Sequence, residues 1–173
     1  MKFYSGFSLK NEEYFFNSFI KNSEYTVCGF SYGAIEALNR VADLIKNKKR
    51  VDTLQLFSPI FFQNKDTKFI RLQMIAYNKD KSSYMKQFTK NSFAPYKSKE
   101  VQHTETNVEE LKELLEHKWS LKSLEALNRV GVKIEVYLGG KDKIVDTLEA
   151  KEFFVKVATV TYIKSANHFL QLD

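Results

Sequence analysis

Gly29-Phe30-Ser31-Tyr32-Gly33 is the stretch that most narrows what this chain can fold into. An apolar run over residues 25–28 leads into it with strand character. A helical pattern starts directly after it with Ala34, Ile35, Ala37, Leu38 and Val41. The sequence therefore predicts strand, sharp turn and helix, with G-x-S-x-G spanning the turn. So tight a turn puts Ser31 in a strained backbone conformation, and side chains two residues to either side would strike the neighbouring strand and helix. The two glycines answer that requirement and leave the Ser31 hydroxyl projecting from the end of a sheet. At Tyr32 the helix offers unpaired N–H groups and the positive end of its dipole.

The remaining pattern fits around this turn. Strands are predicted over 2–4, 51–57, 132–138 and 159–163. Helices are predicted over 11–21, 31–46, 67–77, from about 82, 108–119, 121–130 and 146–157, with Asn11, Asn107 and Asp146 as caps. Strands alternating with helices argue for an α/β fold with a parallel sheet of about five strands and right-handed crossovers. Residues 1–173 read as a single domain. The middle, about 61–131, reads entirely as helix and loop and forms a small helical lid, with a polar, loose stretch at 97–105. At 43% hydrophobic residues the chain has enough apolar side chains for a sizeable core. Cys28 is the only cysteine, which excludes an internal disulfide and a cysteine metal site; it reads as a small buried strand residue. No metal or organic cofactor is expected. No apolar run approaches a membrane span and the N-terminus has no long apolar core, so a soluble, cytoplasmic protein without membrane attachment is expected.

In parallel sheets of this kind chemistry collects at the carboxyl ends of the strands. Three residues there carry it. Ser31 follows the second strand, Asp142 lies in the Gly139-Gly140-Lys141-Asp142 turn after the fourth, and His168 follows the fifth. Their order, nucleophile then acid then histidine, is one of the known orders of a serine triad. Asp146, the nearest competitor to Asp142, sits better as a helix cap. His103 and His117 fall in the helical middle and are assigned to solvent or packing. In such a triad His168 takes the Ser31 proton as the hydroxyl attacks an acyl carbonyl, and Asp142 holds the imidazole tautomer. The oxyanion would meet two backbone N–H groups, those of Tyr32 and of Phe7 in the loop after the first strand.

Charge is unevenly placed. Residues 64–99 contain nine basic and two acidic side chains, a net +7 against +6 for the whole chain. Such a segment is either a solvated lysine-rich face or an electrostatic address for an anionic partner. No nucleic-acid motif or second basic stripe accompanies it, so nucleic acid is not the expected partner.

Ser5-Gly6-Phe7, the Gly29–Gly33 turn, Gly139-Gly140-Lys141-Asp142 and Asn167-His168 together resemble the α/β-hydrolases. Within them, the similarity is to the short pimeloyl-[acyl-carrier protein] methyl ester esterases of biotin synthesis, and it extends to Phe57-Ser58-Pro59 and the basic run Lys68-Phe69-Ile70-Arg71-Leu72-Gln73. The resemblance implies a minimal α/β-hydrolase fold and removal of the methyl group from the distal ester of a pimeloyl chain held on acyl carrier protein. It implies that Phe69, Leu72 and Gln73 line the acyl channel. Acyl carrier proteins are strongly acidic, which would give the basic segment its partner through Arg71, Lys79, Lys81, Lys86 and Lys90. A general short-chain carboxylesterase or thioesterase remains the alternative.

Overall fold

Alternation along the strands divides the interior into two layers of different chemistry. The computed structural model describes residues Met1–Asp173. Its main sheet has five strands, β1 (Lys2–Tyr4), β3 (Thr26–Phe30), β4 (Thr53–Phe57), β6 (Lys133–Gly139) and β7 (Thr159–Ile163), all parallel and lying side by side in that order. Val27, Leu54, Leu56, Ile134, Val136 and Leu138 face one side and form a largely aliphatic core. Cys28, Phe30 and Phe57 face the other side, where Phe16, Phe93 and Phe169 join them in an aromatic core.

Helices α1 (Gly33–Lys46), α5 (Leu121–Arg129) and α6 (Thr147–Phe154) cover the aliphatic face. Between β4 and β6 the chain also forms α2 (Thr67–Lys79), α3 (Lys81–Phe93) and α4 (Val108–Glu116), with α2 packed on both α3 and α4. Side-chain caps start these helices where expected: Asn107 and Glu110 form a reciprocal capping box on α4, and Asp146 accepts from the Glu149 N–H on α6. The last helix of the 61–131 stretch, α5, lies against β6 of the sheet.

Two local expectations are corrected. Residues 11–21 do not form a helix; Leu9–Lys10 is a short strand, β2, and only Glu13–Phe16 makes a 3₁₀ turn. Asn11 adopts φ 59° and is not a cap. Tertiary partners take the place of helix bonds here: Phe16 enters the aromatic core with Phe15 and Phe19 packed against it, and the buried Gln55 side chain binds the Phe19 carbonyl and the Lys21 N–H. Nor is 97–105 loose. Gln102–His103 forms β5, antiparallel to β2, and Ser8, Asn11 and Tyr14 bond to Thr104, Gln102 and Glu100. The middle of the chain therefore contains a strand as well as helices. No helix is long and apolar enough to cross a membrane.

Candidate active site

The carboxyl ends of β3 and β6 and the segment after β7 converge on one point. Ser31 has φ 56°, the left-handed region that a non-glycine residue adopts only under constraint. Its own N–H donates to Phe57 C=O on β4 (2.9 Å), and its carbonyl accepts from Ala34 (3.2 Å) and Ile60 (3.3 Å). The flanking glycines are sterically required. A Cβ on Gly29 would sit 2.2 Å from Gly33 O, and one on Gly33 would sit 2.2 Å from Tyr4 O and 2.4 Å from Ser5 O. The strand, the helix and the loop after β1 thus touch backbone to backbone.

Glycine does the same work at the acid. Cβ atoms on Gly139 and Gly140 would meet Asn167 O at 2.2 Å and Lys164 O at 2.6 Å. Without them the segment bearing His168 could not lie along the turn bearing Asp142, where Lys141 N–H donates to Ala166 C=O (2.7 Å). Asp142 Oδ1 accepts from the N–H groups of Ile144 (2.7 Å) and Val145 (3.2 Å), which leaves Oδ2 for His168 Nδ1 at 2.6 Å. His168 Nε2 lies 3.0 Å from Ser31 Oγ. An ionised carboxylate only accepts, so Nδ1 carries the ring proton and the Nε2 lone pair faces the serine hydroxyl. Ser31 is 2% and His168 1% exposed, so this chain of hydrogen bonds lies almost out of water.

Asn167 had no role assigned from sequence, yet it builds the turn that presents His168. Its amide donates to Phe93 C=O (2.7 Å) and Gln171 Oε1 (2.8 Å), while its Oδ1 accepts from Gln171 N–H (3.0 Å). Phe30 packs tilted against the His168 ring, with centroids 5.1 Å apart.

The N–H groups of Phe7 and Tyr32 donate to no acceptor within the chain, although both residues are wedged in place. Phe7 is buried edge-on between Tyr32 (6.2 Å) and Phe88 of α3 (6.0 Å), and Tyr32 OH donates to Glu113 of α4 (2.7 Å). Burial, with Glu113 beside it, pushes the Tyr32 phenol well above its ordinary range. Two N–H donors without acceptors, one on the residue after Ser31 and one on Phe7, whose ring packs against Tyr32, can hold a negative oxygen.

A cavity of about 260 Å³ lies beneath α2 and α3, lined by Phe62, Phe69, Phe88, Leu114 and Leu115 with Gln73, Gln87 and Asn91. It runs to Lys143 and Ile144, next to Asp142, and Phe88 links it to Phe7. Phe69 and Gln73 are on its wall. Leu72 is not; one residue along α2 from Gln73, it points outward and is 54% exposed, because helical periodicity gives neighbouring residues different faces. Of the basic residues singled out, Lys81, Lys86 and Lys90 line a separate cleft of about 650 Å³ between α3 and the β2–β5 ribbon. Lys81 is engaged there with Glu105 and the Thr106 carbonyl. Arg71 and Lys79 are exposed on α2. His103 is exposed, and His117 packs edge-on against Trp119. Cys28 is fully buried, and burial pushes its thiol up to about 12.

A parallel sheet with a strained serine between strand and helix, and with an acid and a histidine supplied by later strand ends, defines the α/β-hydrolase fold, and this chain has it. Solved structures agree. BioG from Haemophilus influenzae matches at a TM-score of 0.56 and 11% identity, over 97% of this chain and 87% of that one. E-2-(acetamidomethylene)succinate hydrolase matches at 0.57 and 12%, over 97% and 84%. The esterase EaEST from Exiguobacterium antarcticum matches at 0.52 and 20%, over 83% of this chain and 59% of that one. No protein-family model matches the sequence, and no curated protein is similar to it in sequence.

Proposed function

We propose that this chain is a serine carboxylesterase in which Ser31, His168 and Asp142 form the triad. The observation that carries the reading is the continuous bond chain from Asp142 Oδ2 through His168 to Ser31 Oγ, at 2.6 and 3.0 Å, beside two unused backbone N–H groups. His168 Nε2 takes the Ser31 proton as Oγ attacks the ester carbonyl, and Asp142 stabilises the resulting imidazolium. The oxyanion lies between the Phe7 and Tyr32 N–H groups, each such donor being worth about 3 kcal/mol of barrier. Collapse expels the alcohol with the proton from His168 and leaves the acyl group on Ser31. Water, activated by the same histidine, then releases the acid.

For the substrate, the reading is the methyl ester of pimeloyl-[acyl-carrier protein], cleaved to methanol and the free distal carboxylate in biotin synthesis. The residue resemblance supports it, as do the small, mainly apolar cavity holding Phe69 and Gln73 and the basic surface on α2 and α3 that suits an acidic carrier. Mass analysis of methyl pimeloyl-carrier protein incubated with wild type and Ser31→Ala tests both levels. Loss of the methyl group alone, absent in Ser31→Ala, is the expected result. Cleavage at the thioester, or activity only on small free esters, would overturn the substrate and keep the triad.

A further inference from the structure

We propose that Glu12 is a positioning residue that aims the Phe7 N–H at the reacting oxygen; this rests on the Ser31 esterase reading. Glu12 is completely buried at the start of the 3₁₀ turn, on the aromatic side of the sheet. Its Oε1 accepts the Gly6 N–H at 2.6 Å, and its Oε2 has no hydrogen-bond partner. A carboxyl group is costly to bury, and an apolar side chain would fill the same space without leaving an idle oxygen. What the carboxyl adds is one short hydrogen bond to one peptide group.

That peptide group is the one before the proposed oxyanion donor. Glu12 fixes the plane of the Ser5–Gly6 peptide. The next plane, Gly6–Phe7, is fixed through its carbonyl, which accepts from Leu9 N–H at 3.0 Å. Within a trans peptide the C=O and N–H point in opposite directions, so holding the Gly6 carbonyl toward Leu9 turns the Phe7 N–H the other way, where it has no acceptor in the chain. Two consecutive planes are thus locked and the loop cannot rotate its donor away. The Phe30 ring closes the third side. It leaves no room for a Cβ on Gly6, which would lie 2.8 Å from it, and it also rests on His168. Glu12 therefore acts on the chemistry through the loop without touching substrate.

The test compares Glu12→Leu, Glu12→Asp and Glu12→Gln with wild type on p-nitrophenyl acetate, with Ser31→Ala as control. Circular dichroism and the urea midpoint identify the variants that fold. Removing an oxyanion donor costs about 100- to 1,000-fold, and a donor left mobile is expected to cost about 10- to 100-fold in kcat. Glu12→Leu, or Glu12→Asp if the leucine variant does not fold, should show that fall with KM within about twofold. Inhibition by a trifluoromethyl ketone, which mimics the tetrahedral state, should weaken in parallel. Glu12→Gln keeps an oxygen for the Gly6 N–H and should return kcat to within about threefold of wild type. Wild-type kcat in folded Glu12→Leu or Glu12→Asp, a loss confined to KM, or no rescue by Glu12→Gln would overturn the proposal while Ser31→Ala remains inactive. Hydrolysis surviving in Ser31→Ala would overturn the esterase reading and this proposal with it.

Discussion

Replacing Gly33 by alanine tests how far the backbone contacts around Ser31 determine both stability and rate. The added Cβ would lie 2.2 Å from Tyr4 O and 2.4 Å from Ser5 O, and real Cβ contacts stay above 3.0 Å. The end of β1 must therefore retreat by about 0.8 Å, the difference between 3.0 and 2.2 Å. Overpacking of this kind costs about 1–3 kcal/mol, and the upper end applies because both obstructing atoms are backbone, one of them in the sheet. With a urea slope of about 2 kcal/mol/M, a cost of about 3 kcal/mol lowers the unfolding midpoint by about 1.5 M. The displaced carbonyls stand just before Phe7, and a misplacement of about 1 Å can cost about 100-fold in rate, so kcat should fall by about that factor. Gly131→Ala is the control. Gly131 has φ +91° and a Cβ there would meet nothing within 4 Å, so alanine costs about 1–2 kcal/mol of backbone strain without a clash and leaves kcat unchanged. Urea titration and p-nitrophenyl acetate turnover of both variants decide the matter. If Gly33→Ala matched Gly131→Ala in midpoint and kept kcat within about threefold of wild type, the argument from backbone contact would be wrong.

Other perturbations separate the fold from the chemistry. Gln55, fully buried on β4, accepts from Lys21 N–H and donates to Phe19 C=O (both 2.9 Å); Gln55→Leu strands both groups and should cost about 2–4 kcal/mol in urea unfolding with kcat unchanged. Burial pushes the Glu12 carboxyl above its ordinary 4.5, so the folded protein holds that proton more tightly than the unfolded chain does. Its contribution is complete below about pH 4.5 and is lost as pH rises through the folded value. Urea midpoints of wild type and Glu12→Gln should therefore shift in favour of the variant between about pH 4 and 7, and a constant difference would contradict the shift. Reversing the charges of Arg71, Lys79, Lys86 and Lys90 should raise KM for a carrier-linked ester and remove its salt dependence while a small ester is hydrolysed as before. Equal effects on both substrates would refute a carrier-docking role.

The parts of this protein legible in its sequence are those set by short-range chemistry. Strands 2–4 and 159–163 are found at their expected bounds, and the start of α1 follows the G-x-S-x-G turn because the glycines on either side of Ser31 answer a local steric demand. Ser31, Asp142 and His168 each follow a strand, and in an all-parallel sheet such positions share one end, so the three could be singled out as candidates before any distance was known. Helix caps at Asn107 and Asp146 are equally local, each side chain reaching a backbone N–H three residues on.

Tertiary structure decided what depends on residues far apart in the chain. Residues 11–21 carry a helical spacing of aromatics, yet Asn11 turns to φ 59° and Gln55, more than 30 residues on, takes the Phe19 carbonyl and the Lys21 N–H, so only Glu13–Phe16 makes a helical turn. The β2–β5 ribbon joins positions more than 90 residues apart, and neither two-residue strand has a pattern long enough to announce itself. Glu12 stands in the sequence as an ordinary acidic residue beside Glu13, and Asn167, though part of the Asn167-His168 motif, gives no sign there of what it bonds to. Glu12 acquires its role from the burial that removes water, and Asn167 from that burial together with partners as distant as Phe93. A sequence specifies which groups can bond; only the folded chain decides which of them are left with a single partner to bond to.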